Sequence, residues 1–345
     1  MFEESNKISL QYITPHWHMG CDQICNFCYL GRIKRPNITP LEDRKKCIDI
    51  FAANNTEQMY FSGGNPMIDP LIEETLDYTK RRGILTEIVS NSWDYSRIRN
   101  LPQFLKNIDD KGATLYGSDA TSHDLLSGAR SSFDRIIGNL EKLSDMGAAF
   151  TLLFNVMPHN KDKLYEHLKN LRSRILYNKV WLQRIMPYGE ADKNLFLQPE
   201  DLPKIYEQLA RAKSDFNLAE VYFTMPPPPC QMPDFAREIT DDYLRGTSFF
   251  AIDCKCRLFG ESFDLSRPEL ALFGGRPIWE VENLTEAIAA EPQTKELFAK
   301  RFMPRKCREC KDFNNCFGGY PVRDATGKMI ADPLLTLSVP RPRAR

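Results

Sequence analysis

At 345 residues the chain is long enough for one large domain and a smaller appendage, with a core that needs no disulfide staples. Basic and acidic residues balance at 46 each, so there is no global field for nucleic acid or an anionic membrane, and neither is expected as a partner. The N-terminus lacks a basic segment followed by an apolar one, and no later run approaches the roughly 20 apolar residues of a membrane span, which predicts a cytoplasmic protein.

The predicted strands, in chain order, are Ser9 to Ile13, Gln58 to Ser62, Leu85 to Ser90, Ala113 to Gly117, Phe150 to Val156 and Val180 to Met186. Each is a short β-rich apolar run. Between them lie charged segments of helical period, among them Pro40 to Ala53, Pro70 to Arg82, Phe133 to Met146 and Lys161 to Arg174. This alternation is the signature of β/α units on a parallel sheet, and six units predict an α/β fold built as a partial (β/α)6 TIM-like barrel. Catalytic groups then belong at the C-terminal ends of the strands.

Four consecutive prolines, Pro226 to Pro229, stiffen a connector. The boundary is placed there, giving a barrel over 1–225, a small irregular C-terminal domain over 226–330 and a flexible tail over 331–345. Residues 250 to 320 carry little patterned apolar sequence, so metal is expected to hold them together.

Ten cysteines in a reducing compartment point to metal rather than disulfides. Three cluster near the N-terminus, Cys47 is isolated within an amphipathic helix as a small core residue, and six lie between Cys230 and Cys316. Two separate metal centres follow. Cys21, Cys25 and Cys28 stand as C-x3-C-x2-C on one loop after the first strand. Three thiolates from one loop can bind three irons of a cubane cluster, which leaves the fourth iron open for chemistry. Zinc, even with His16 and His18 as added ligands, fits this spacing poorly, because zinc sites pair two C-x2-C knuckles or space histidines regularly.

This loop, with aromatic Phe27 just before its last cysteine, resembles that of the radical S-adenosylmethionine (SAM) superfamily. The resemblance implies a 4Fe-4S cluster whose open iron is chelated by SAM, a 5'-deoxyadenosyl radical that abstracts a substrate hydrogen, and Phe27 near the adenine. Phe61-Ser62-Gly63-Gly64-Asn65-Pro66 resembles the family's Gly-Gly-Glu-Pro motif, which binds the SAM amino group, with Asn65 in place of the glutamate. Ser90 and Asn91 stand where Thr-Asn-Gly often occurs. Ser118-Asp119, followed by His123-Asp124, resembles the Ser-x-Asp-Gly segment. Asn155 and Arg184 are expected to point into the same mouth, and Asp119, Cys230 and Arg184 are the catalytic candidates. For Asp119 and Asn155 a turn or helix cap is the structural alternative.

Cys307, Cys310 and Cys316 form C-x2-C-x5-C before a Gly-Gly turn. This resembles the SPASM or twitch extension of a radical SAM subfamily. A full SPASM motif continues with another cysteine where this chain has Tyr320, which implies one auxiliary cluster of the 4Fe-4S type rather than two. Its fourth ligand is expected to be Cys254 or Cys256, with Cys256 preferred and Cys230 a further possibility. Zinc is the alternative occupant.

The resemblance implies an oxidoreductase that modifies a ribosomally made peptide, reduced by a flavodoxin or ferredoxin. The first strand begins close to Met1, so a leader peptide is expected to be held by a separate leader-peptide-binding protein or by the barrel surface. Two other readings are a twitch-type enzyme acting on a small metabolite such as an aminosugar, and an iron-sulfur electron carrier or metal-stabilised binding module.

Overall fold

A computed structural model describes residues 8–31, 38–92, 94–189, 191–239, 249–299, 302–311, 316, 318–324 and 326–336. Seven parallel strands run in sequence order across one sheet: β1 (Tyr12–Pro15), β2 (Gln58–Phe61), β3 (Leu85–Ser90), β4 (Asp110–Leu115), β5 (Phe150–Val156), β6 (Tyr177–Arg184) and β7 (Glu220–Phe223). Helices α1 (Leu41–Ala53), α2 (Ile72–Arg81), α3 (Leu101–Lys106), α4 (Ala120–Ser127), α5 (Ser132–Asp145), α6 (Leu164–Arg172) and α7 (Leu202–Asp215) lie along the crossovers. The six predicted strands are all present with shifted ends. β7 is an addition, its four residues too few to show a period beside the proline run.

Beyond the prolines, β8 (Phe249–Ile252) pairs in parallel with β1, and β9 (Leu258–Phe259) pairs antiparallel with β8. The sheet therefore has nine strands in the order β7-β6-β5-β4-β3-β2-β1-β8-β9, open between its two edges. Strands from both sides of the expected boundary share it. The segment 250–320 was expected to have little core, yet Ile252, Leu258, Leu272, Phe273, Ile278, Leu284 and Ile288 are buried with Ile13, Phe51 and Met59. Its apolar residues sit in short strands, 3-10 turns and a seven-residue helix, each too short to announce a sequence period.

Side chains alternate across the sheet as the pleat requires. Ile13, Met59, Ile88, Leu152, Phe154, Val180, Leu182, Val221 and Phe223 face the helices. Tyr60, Val89, Leu153, Trp181 and Tyr222 form the opposite face. At the start of the strands this inner face turns polar. Lys179 bridges Asp110 at 2.7 Å and Glu220 at 3.1 Å, and Gln58 donates to Glu87 at 3.0 Å. Burial, then the charge of Asp110, raises the Glu87 carboxyl well above the usual range.

Residues 331–335, assigned to the flexible tail, are buried or half-buried, while 337–345 lie outside the described residues. Asp332 is fully buried and forms a bidentate pair with Arg184 at the end of β6. It also accepts from the backbone of Tyr320 at 2.7 Å and of Leu334 at 2.9 Å. Among the described residues no helix is long and apolar enough to cross a membrane.

Arg184→Leu strands a buried carboxylate and is expected to cost about 3–5 kcal/mol. Urea unfolding measures the loss, and limited proteolysis should release the segment around Pro333. An unchanged midpoint would show that the pair holds nothing together.

Candidate active site

The loop from His16 to Gly31 leaves β1 and crosses the C-terminal ends of the strands. Three backbone approaches hold it there. Gly64 lies so close to Gly20 that an added Cβ would stand 1.9 Å from its carbonyl oxygen. Gly128, at the end of α4, approaches Ile24 in the same way (2.2 Å), and Gly189 approaches Cys28 (2.2 Å). Hydrogen bonds follow these contacts: Asn65 N–H donates to Gly20, Ile24 to Ser127 and Asn26 to Leu126.

Held this way, Cys21 is exposed by area while Cys25 and Cys28 are half-buried. The dense surround nevertheless desolvates the Cys21 thiol and, together with the charges of Asp22 and the other cysteines, pushes it up to about 12. Burial pushes Cys25 up to about 11, against the opposing effect of its hydrogen bond to Tyr116. Thiols in this state need positive charge beside them to ionise. Among the described residues no three His, Cys, Asp or Glu donors converge as on a single ion. A cubane takes each thiolate on a different iron, so convergence on one point is not its requirement.

The Tyr116 hydroxyl lies 3.2 Å from Cys25 Sγ, and the Tyr116 ring meets Phe27 edge-on at 5.0 Å and stacks on His123 at 4.8 Å. His123 Nε2 and Gln23 Nε2 both reach Ser132 Oγ, at 3.2 and 2.7 Å, which closes the chain back onto the loop. Tyr116 was missed in the sequence because it follows the end of β4 and reads as one more apolar strand residue.

Asn65, fully buried, donates through Nδ2 to both carboxylate oxygens of Asp22 (3.2 and 3.1 Å). Its carbonyl oxygen accepts from Met67 N–H at 3.1 Å and Ser90 Oγ at 3.0 Å. Asn91 donates to Asp22 at 2.7 Å. The turn after β2, the end of β3 and the cysteine loop thus meet at Asp22, a residue that sequence reasoning passed over. Two buried groups beside them have polar atoms without a hydrogen-bond partner among the described residues: both ring nitrogens of His16, beneath Gly63, and the carbonyl oxygen of Asn155 on β5. Burial lowers His16 to about 3, so the ring is neutral. Three thiols on one loop with unpaired buried acceptors nearby suit a cluster-bound, polar cofactor.

Other expected site residues are engaged elsewhere. Asp119 caps α4 by accepting from Ser122 N–H at 2.8 Å, and Ser118 Oγ pairs with His167 at 2.9 Å. Arg184 binds Asp332 and donates to the Met225 carbonyl at 2.7 Å, which gives it a tying role between elements.

A cavity of about 280 Å³ opens beside the loop. Tyr29 and Ser62 bring its wall to within one residue of Cys28 and Gly63. Tyr60, Val89, Leu153, Trp181 and Gln183 line it from the sheet, and Glu261, Phe263, Tyr320 and Arg323 line it from the C-terminal segment. Tyr320 donates to Glu261 at 2.6 Å. Burial pushes the Glu261 carboxyl up to about 8, with nearby Asp264 raising it further and Arg323 and the Tyr320 hydrogen bond opposing. No motif marks Glu261, since it stands alone between two turns.

The second cysteine group also differs from expectation. Cys256 is 2% exposed, in a left-handed conformation, and its free thiol is in hydrogen-bond contact with the free thiol of Cys47 in the core. The Cys307 thiol is raised by burial, then by the charges of Cys230, Cys316 and Cys310. Cys230 thus lies near the C-terminal three, where Gly319 packs on Pro228.

If the backbone approaches set the loop, Gly64→Ala is expected to destabilise the protein by about 2 kcal/mol or more. Gly138→Ala in α5, whose added Cβ meets nothing within 4 Å, should gain about 0.5–1 kcal/mol. Parallel urea melts compare the two, and equal midpoints would remove the cradle from the account.

Residues 17–171 match the model of the radical SAM superfamily. Among solved structures, Streptococcus suis SuiB bound to S-adenosylmethionine superposes with a TM-score of 0.70 at 15% identity, covering 91% of this chain and 73% of that one. SuiB bound to its precursor peptide SuiA gives 0.69 at 16%, covering 92% and 73%. Native anSMEcpe with bound AdoMet and Cp18Cys peptide gives 0.67 at 15%, covering 90% and 88%. At these identities the structural likeness is one of fold. Residues 17–171, which carry the cysteine loop and the strands β2 to β5, are thus similar to the radical SAM superfamily.

Proposed function

We propose that this chain is a SPASM-type radical SAM enzyme that modifies a peptide, with the reacting side chain held in the cavity beside the cysteine loop. The observation that carries the reading is continuity: one chamber reaches from Tyr29, next to Cys28, to Tyr320, four residues after Cys316. Cys21, Cys25 and Cys28 would hold the first 4Fe-4S cluster, with Gly63, Gly64, Asn155 and Phe27 around SAM. When bound, cluster and SAM supply a carbon-centred radical able to abstract a substrate hydrogen. Cys230, Cys307, Cys310 and Cys316 would hold one auxiliary cluster.

The residues of the chamber divide the remaining work. Tyr60, Trp181, Phe249 and Phe263 exclude water and hold an apolar stem, while polar groups gather at the end formed by Gln183, Glu261, Tyr320 and Arg323. Such a wall suits an amino-acid side chain better than a sugar ring covered with hydroxyls. Glu261 is the group placed to take a proton from the substrate, with Tyr320 orienting its carboxyl. The peptide bound by two fold neighbours, SuiA and Cp18Cys, supports this substrate class.

Anaerobically reconstituted protein is expected to form 5'-deoxyadenosine with peptides rather than aminosugars. Replacing Cys21, Cys25 and Cys28 by Ala should abolish SAM cleavage and leave roughly half the iron, because the second cysteine group is independent. Undiminished cleavage by that variant, or zinc in the second site, would sink the assignment.

Glu261→Gln should lower product formation by about 100-fold or more while 5'-deoxyadenosine still forms. In the wild type a base must be ionised, so product formation should rise with pH toward about 8 and level off above it. A flat profile, or unchanged product from Glu261→Gln, would remove Glu261 from the chemistry.

A further inference from the structure

The Gly63-Gly64 turn ends in an amide where an acid is expected, and the geometry around that amide shows where the missing charge stands. Asn65 has both ends of its side chain engaged: the carbonyl oxygen accepts from Met67 N–H and Ser90 Oγ, and Nδ2 donates to Asp22. It has little left to offer a ligand. Asp22, by contrast, is half-buried in the cysteine loop, and the donors that hold it are neutral: the amides of Asn65 and Asn91 and, at 3.9 Å, the thiol of Cys21. Among the described residues no Lys, Arg or His lies within ion-pair distance of it. A carboxylate held in place by two amides and one distant thiol, and lacking a cationic partner, keeps strong acceptor capacity.

We propose that Asp22 accepts a hydrogen bond from the amino group of SAM and supplies, from the loop after β1, the negative charge that residue 65 lacks. The proposal rests on the reading that this domain binds SAM at its cysteine loop. Asn65 and Asn91 are then positioning residues, since they aim the Asp22 carboxylate. The arrangement also explains why position 65 is an amide. A glutamate there would set a second carboxylate against Asp22 at hydrogen-bond distance, where two like charges cannot both ionise without cost. The acid can stand on either side of the contact, but not on both.

Equilibrium dialysis of SAM against anaerobically reconstituted full-length protein tests this with four chains: wild type, Asp22→Asn, Asn65→Glu, and the double variant that exchanges the two side-chain types. Iron content and the unfolding temperature without SAM are measured on each. Asp22→Asn is expected to weaken SAM roughly tenfold with both of those readouts at wild-type values. Asn65→Glu alone should also weaken it, and the double variant should return to within about threefold of wild type by restoring one carboxylate and one amide. Unchanged affinity in Asp22→Asn overturns the proposal. So does a loss of affinity that comes with lost iron or a lower unfolding temperature, since Asp22 would then serve only to shape the loop. A double variant as weak as Asp22→Asn overturns it as well. A wild-type protein that holds its iron but binds no SAM would instead overturn the reading beneath the proposal.

Discussion

The mouth of the barrel depends on how closely the cysteine loop lies against bare backbone. Gly64, Gly128 and Gly189 come from the turn after β2, the end of α4 and the segment after β6, and each leaves no room for a Cβ where it meets the loop. Contacts this short make the loop's position a property of the whole sheet. A shift of any of the three would move Cys21, Cys25 and Cys28 relative to the strand ends. The hydrogen bonds from Asn65, Ile24 and Asn26 can form only because that approach is possible. The loop is thus fixed by shape before any metal is considered, and its thiols are left to be charged by whatever binds them.

A second tie fixes the opposite wall of the chamber. Arg184 leaves β6 and meets Asp332, which in turn accepts from the backbone of Tyr320. One buried ion pair therefore sets the height of Tyr320 above the inner face of the sheet, and with it the position of Glu261. This is a different use of Arg184 from cofactor binding, and it follows from burial: a guanidinium that is 3% exposed must satisfy its donors, and the nearest carboxylate is on the C-terminal segment.

Much of this was legible in the sequence, for reasons that can be named. The six strands and the cysteine loop announce themselves through alternation and spacing, which depend only on local chemistry. What escaped was set by distance in space. Asp22 carries no pattern of its own, and its importance comes from Asn65 and Asn91, 43 and 69 residues away. Glu261 is isolated in sequence and becomes a candidate only when burial and Tyr320 surround it. Asp119 shows the converse: a residue in a suggestive motif whose side chain caps the helix it precedes. β8 was hidden because four residues beside two cysteines look like a metal loop until β1 is seen next to them.

The cysteines illustrate the same limit and explain the shape of the C-terminal segment. In the sequence Cys254 or Cys256 is the expected partner of the C-terminal three, while Cys230 beside the proline run reads first as a half-buried thiol. Pairing β8 with β1 carries Cys256 into the core against Cys47, whereas the prolines place Cys230 near Gly319 and Cys307. The proline run is therefore more than a linker: Pro228 packs on Gly319, beside the C-terminal cysteines. The same turn decides the fate of position 320. A cysteine there would extend the metal-binding pattern, but with Gly319 packed on Pro228 and Asp332 holding the backbone, the side chain at 320 reaches into the chamber, where a tyrosine can meet Glu261. Tyr320 thus brings a hydroxyl to the chamber's carboxyl, at a position fixed by Pro228 and Asp332.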